Sequence, residues 1–83
     1  MADRQYIVES VQQRLREVVP DLREETLDAD KDLREFAGFD SLGVLEILVW
    51  LESEFSLVIP DEELNIDNFS SVGKMADYVV DHR

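Results

Sequence analysis

Three stretches of the chain carry an apolar stripe at helical spacing. From Arg4 to Val19 the residues Ile7, Val11, Leu15 and Val18 share one face, and Val8 and Val19 widen it. Asp3 is a fitting N-cap and Pro20 stops the run. A second helix is expected from Ser41 to about Phe55, with Asp40 as its N-cap. A third runs from Val72 to about His82, with Val72, Met75, Ala76 and Val79 inward and Ser70 or Ser71 as cap. Between the last two, Pro60 at a first-turn position and the sequence DEELN predict one short helix, Asp61 to Asn65.

Strand signals are nearly absent. SLVIP is a brief β-branched run ending in proline, read as a loop that drops Val58 or Ile59 into the core. Residues 20–40 form a long connection without strong periodicity. Leu22, Leu27, Leu33 and Phe36 can pin it to the bundle, and KDLREFA can add a helical turn. The expected fold is all-α: a small four-helix bundle of three long helices and one short third helix, with a long loop between helices 1 and 2.

The second helix is unusual in being apolar on two sides. At about 100° per residue, Val44, Ile47, Leu48, Leu51 and Phe55 fall in one arc, the core face. The opposite arc holds Leu42, Leu45, Glu46, Val49, Glu52 and Ser53, with Trp50 at the edge between faces. Either the 20–40 loop covers Leu42, Leu45 and Val49, or they form an exposed stripe ringed by carboxylates. The second arrangement is that of a transient interface, with apolar anchors at the centre and steering charges at the rim. Trp50 reads as partly buried packing.

Charge sharpens this reading. Lys and Arg number 8 and Asp and Glu 20, for a net charge of −12. From Glu35 through Gly73 there is no Lys or Arg, while the same stretch holds nine acids, Glu35, Asp40, Glu46, Glu52, Glu54, Asp61, Glu62, Glu63 and Asp67. Such a field repels nucleic acid and anionic membranes and attracts basic protein surfaces. It also opposes self-association, so a monomer is expected. The 83 residues suit one domain, 1–83, with 45% hydrophobic content to fill a core. The chain has no cysteine, which excludes disulfides and thiolate metal sites. MADRQYIVES lacks an apolar signal region, and ILVWL is far too short to span a bilayer. A cytoplasmic domain is expected.

Catalytic chemistry is poorly represented. The single histidine, His82, sits next to the last residue, and adjacent Asp81 cannot face it on a helix. There is no Gly-rich phosphate loop. DADKDLREFAGF begins like a calcium loop but has Leu33 where glycine is needed and Phe39 where a bidentate glutamate is needed. No metal and no catalytic residue are assigned. What remains is Ser41, at the first helical position beside Asp40. DS can simply start a helix. Alternatively, a solvent-facing hydroxyl there could carry a phosphate ester, facing free backbone N–H groups and the positive end of the helix dipole.

DSL, followed by Glu46, Leu51, Glu52, Phe55 and IPDEE, resembles the acyl carrier protein family from about Leu33 to Val80. The resemblance implies a small acidic four-helix bundle that is not itself an enzyme. It implies Ser41 as the attachment point of a 4′-phosphopantetheine arm derived from coenzyme A, with cargo held as a thioester on its thiol. Asp40 would position Ser41 and assist a phosphopantetheinyl transferase. Leu42, Leu45, Glu46, Val49 and Glu52, with Asp61 and Glu62, would meet the basic docking surfaces of loading and condensing enzymes. The short third helix and Phe69 would form a mobile wall over an inner cavity. Gly43, Val44, the bulky Trp50 and the lengthened PDEELNIDNFSS depart from fatty-acid members. They point to a discrete carrier of polyketide, hybrid or nonribosomal-peptide biosynthesis. The rivals are a fatty-acid carrier and an unmodified acidic interaction module.

Overall fold

The computed structural model describes residues 3–82. Its three α-helices are α1 (Arg4–Val18), α2 (Ser41–Phe55) and α3 (Val72–His82), joined through short 3₁₀ turns. No strand occurs among the described residues. Each start follows from local chemistry. Asp3 accepts from the Tyr6 N–H at 2.9 Å, Asp40 from the Gly43 N–H at 2.9 Å, and Ser71 Oγ from the Lys74 N–H at 3.1 Å. These side chains satisfy amides that have no intrahelical partner. Of the two serines that could cap α3, Ser71 does so. Helix α1 ends at Val18, one residue earlier than its stripe suggests, because Val19 is extended ahead of Pro20. Helix α2 ends at Phe55, and its C-cap Ser56 is the one non-glycine residue with positive φ among those described (55°).

The predicted short helix from Asp61 to Asn65 is not an α-helix, and the bundle therefore has three α-helices rather than four. In its place stand two 3₁₀ turns, Asp61–Glu63 and Ile66–Phe69. Pro60 lies outside the first of them, as its N-cap, not within its first turn. Asn65 breaks the run: its extended backbone and its side chain, accepting from the Asn68 N–H at 3.0 Å, restart the chain as a new turn. An asparagine competes with helix propagation in this way.

The core joins Ile7, Val11 and Leu15 of α1, Ile47 and Leu51 of α2, and Met75, Ala76 and Val79 of α3. Leu22, Leu27 and Leu33 enter it from the long connection, and Phe36 is half-buried. Leu33–Glu35 makes the 3₁₀ turn expected of KDLREFA. Ile59, not Val58, is the core residue of SLVIP; Val58 is 82% exposed. Backbone bonds tie the connection to the start of α3, with Gly73 N–H donating to Ala29 O at 2.7 Å and Leu33 N–H to Ser70 O at 2.8 Å. Gln12 Nε2 donates to Leu27 O at 2.6 Å and fastens the same loop to α1.

Candidate functional site

Ser41 is exposed at the first position of α2, with Asp40 fixing the turn beneath it. Gly43 costs helix propensity, and packing gives the reason for it. A Cβ there would stand 3.1 Å from Gly38 O, closer than an ordinary contact. The first turn of α2 is thus wedged against the loop, and Asp21 Oδ2 in turn accepts the Gly38 N–H at 3.1 Å. Asp21 and Gly38 position the helix start, and nothing in the local pattern marks them for that task.

Beside Ser41 lies an open groove of about 410 Å³, lined by Val44, Leu45, Leu48, Leu64, Asn65 and Ile66. Its far wall is the pair of 3₁₀ turns. Phe69 belongs to the core instead, fully buried with its ring centroid 5.1 Å from that of Tyr78. The wall is tied down at several points. Arg34 Nη1 donates to Asp67 at 2.9 Å, while its Nε and Nη2 grip both oxygens of Asp32 at 3.0 and 2.9 Å. These bonds hold the Asp32 carboxyl down at about 2, and push the Arg34 guanidinium above its ordinary value. Lys74 Nζ donates to Asp67 O at 3.1 Å. At the other end, Tyr78 O–H donates to Glu63 at 2.6 Å; burial, then the Glu63 carboxylate, pushes the phenol up to about 12.

The outer face of α2 is open. Leu42, Leu45 and Val49 are 67%, 49% and 56% exposed, so the 20–40 loop does not cover them. Glu46 stands exposed among them, and Asp61 and Glu62 are exposed on the first 3₁₀ turn. Glu52 differs: its Oε2 accepts the Ile59 N–H at 2.9 Å and it is half-buried. That carboxylate is occupied in closing the loop after α2. Trp50 is half-buried, edge-to-face with Phe55 at 5.8 Å. His82 stacks on Tyr78 at 3.8 Å, and its Nδ1 lies 2.9 Å from Tyr78 O. Among the described residues no cluster of three potential ligands could hold a metal.

The arrangement has clear chemical capability. An exposed primary hydroxyl sits at the amide-rich end of a 15-residue helix, where an attached phosphate is favoured. An apolar groove begins at the same serine, and an apolar, acid-flanked surface lies one turn away.

Comparison with known proteins agrees with this geometry. A family model described as a phosphopantetheine attachment site matches residues 5–79. An acyl carrier protein of Clostridium perfringens is 29% identical over 72 residues, covering 83% of this chain and 92% of that one. That of Rubrobacter xylanophilus is 32% identical over 78 residues, covering 90% and 94%. The mitochondrial acyl carrier protein of Saccharomyces cerevisiae is 35% identical over 60 residues, 72% of this chain and 46% of that longer one. No solved structure matches significantly. The chain belongs to the acyl carrier protein family, as a carrier rather than a catalyst, and its prosthetic group is a covalently attached 4′-phosphopantetheine.

Proposed function

We propose that Ser41 is the attachment residue and that residues 1–83 form one carrier domain. The observation that carries this is the exposed Ser41 hydroxyl at the N-terminus of α2, at the mouth of the apolar groove. The residues present fit the group. The hydroxyl is free to be esterified, the helix end favours the phosphate, and Leu45, Leu64 and Ile66 offer apolar surface to the arm that the phosphate joins. Asp40 holds the first turn and so fixes the direction in which Ser41 points. Cargo is carried as a thioester on the arm and presented to successive partners. Those partners, a phosphopantetheinyl transferase and the loading and condensing enzymes, dock basic surfaces on Leu42, Leu45, Glu46 and Val49, with Asp61 and Glu62 at the rim. Glu52 stands at the edge of this face and contributes charge while it holds the loop. The chain acts as a cytoplasmic monomer, in keeping with its net charge of −12.

The pathway assigned is polyketide, hybrid or nonribosomal-peptide biosynthesis. Support comes from the divided wall after Pro60, from Trp50 in α2, and from an interior filled through Phe69 that leaves a surface groove beside Ser41. Intact mass after incubation with coenzyme A and a broad-specificity phosphopantetheinyl transferase tests attachment. The parent gains one phosphopantetheine, and Ser41→Ala gains none. An unchanged mass in the folded parent would leave an unmodified docking module. The holo-protein is further expected to serve poorly in a reconstituted bacterial fatty-acid synthase. Turnover equal to that with the synthase's own carrier would refute the pathway assignment in favour of fatty-acid synthesis.

A further inference from the structure

The exposed flank of α2 continues past Val49 into the seam between α1 and α2. There Arg14 of α1 meets Leu45, Glu46, Val49, Trp50 and Ser53 around a hollow of about 480 Å³. A second hollow of about 250 Å³ shares Arg14 and Trp50 and extends the seam toward Tyr6 and Glu54. Tyr6 is half exposed. The seam thus joins an apolar hollow around Leu45, Val49 and Trp50 to a polar one lined by Ser10, Gln13, Glu17 and Glu54, with Arg14 shared by both.

That cation is conspicuous because α2 itself, with the rest of residues 35–73, contains no Lys or Arg. Arg14 is weakly engaged. Its guanidinium carbon lies 5.9 Å from the centroid of the Trp50 ring. Its ion pair with Glu17 is long, 3.6 Å, and half exposed. Its Nε is shielded from solvent without a hydrogen-bond partner among the described residues. Trp50 thus holds in place a guanidinium with donors to spare. A uniformly basic partner surface laid here would meet the half-exposed Arg14 with like charge.

We propose that this seam docks a partner helix carrying an apolar side chain next to a carboxylate, within an otherwise basic surface. The apolar side chain seats on Val49 and Trp50. The carboxylate pairs with the exposed terminal amino groups of the Arg14 guanidinium, in competition with the long contact to Glu17. The surrounding basic residues face Glu46 and Glu54. One reversed charge then fixes the register of docking and rejects partners that are basic throughout. The proposal does not depend on modification of Ser41.

The chain contains a single tryptophan, so Trp50 emission reports on this seam alone. The probes are two amphipathic Lys-rich helical peptides, identical except for Glu or Lys beside a central Leu, titrated at low salt into the full unmodified chain. The Glu peptide is expected to bind about threefold more tightly, the size of an exposed charge pair, and to shift Trp50 emission. Arg14→Gln removes the preference and Arg14→Glu reverses it. Equal affinities in the parent, a preference that survives Arg14→Glu, or calorimetric binding without an emission change would each overturn the proposal.

Discussion

Glu52 serves the fold, where Glu46 on the same arc of α2 is left to solvent. On the helical wheel it belongs with Glu46 on the outer arc of α2, yet its carboxylate accepts the Ile59 N–H at 2.9 Å in a half-buried setting. The bond fastens the segment that delivers Ile59, 3% exposed, to the core. A hydrogen bond to a charged group contributes about 1.5–3 kcal/mol. Glu52→Ala removes the acceptor and leaves the Ile59 amide poorly satisfied, so a loss of about 2 kcal/mol is expected. In a domain of this size that lowers Tm by roughly 8–16 °C, at about 4–8 °C per kcal/mol. Glu52→Gln keeps an oxygen acceptor but loses the charge, and lowers Tm by roughly half as much. Glu46→Ala, on an exposed side chain, is expected to shift stability by less than about 0.5 kcal/mol. Thermal unfolding of the three variants, beside transferase kcat/KM at 25 °C, reads both properties. Glu46→Ala should slow modification without lowering Tm, and Glu52→Ala should do the reverse in larger part. Equal Tm values for the Glu46 and Glu52 variants would refute the reasoning.

Three further predictions rest on other contacts. Gly73→Ala places a Cβ 2.8 Å from Ala29 O, a backbone atom that cannot swing away. The overpacking cost of about 1–3 kcal/mol exceeds the roughly 1 kcal/mol gained in helix propensity, so denaturant titration should show net destabilisation. Asp32 is held down at about 2 by Arg34, so its contribution is complete above its ordinary 3.8 and is lost as pH falls toward 2. The stability difference between the parent and Asp32→Asn should therefore shrink as pH falls from 3.8 through 2; a difference undiminished at pH 2 would count against the Arg34 bond. Tyr78 is pushed up to about 12, so what it contributes is intact below pH 10 and lost as pH rises through 12. Its ultraviolet titration should move down toward the ordinary phenol value in Glu63→Gln.

The long elements were legible because each carries two agreeing local signals. Asp40 and Ser71 cap, and a 3.6-residue apolar stripe runs on from each of them, so the bounds of α2 and α3 stand where the pattern put them. The residues 61–69 misled because Pro60 and the acids announce a helix start, while nothing nearby reveals that Asn65 will restart the chain. The loop anchors Leu22, Leu27 and Leu33 were readable as isolated apolar residues. Phe39, 3% exposed, was equally apolar but stood too near the α2 cap to look like an anchor. At the site, the apolar stripe was legible from spacing, whereas Ser41 was singled out only by the resemblance that DSL and IPDEE carry. The inward turn of Glu52 was not legible, since its partner amide returns over the helix only after Ser56 adopts a left-handed conformation. Arg14 was invisible for the same reason: its setting is made by α2, residues away in sequence.

Leu45 gives the two sides of α2 a common edge. It lines the groove that begins at Ser41 and also the seam that holds Arg14. A partner seated in the seam covers the Val49 and Trp50 side of that ridge, and the Leu64 and Ile66 side stays open. Docking and presentation of cargo can thus proceed at once, without one competing for the surface of the other. The carboxylates favour approach over residence, since rim charges act mainly on the encounter and are screened within about 10 Å at 0.1 M salt. The apolar area offered by Leu42, Leu45 and Val49 is small. A carrier must leave each partner to reach the next, and a face built of few anchors and many rim charges suits fast arrival with ready release.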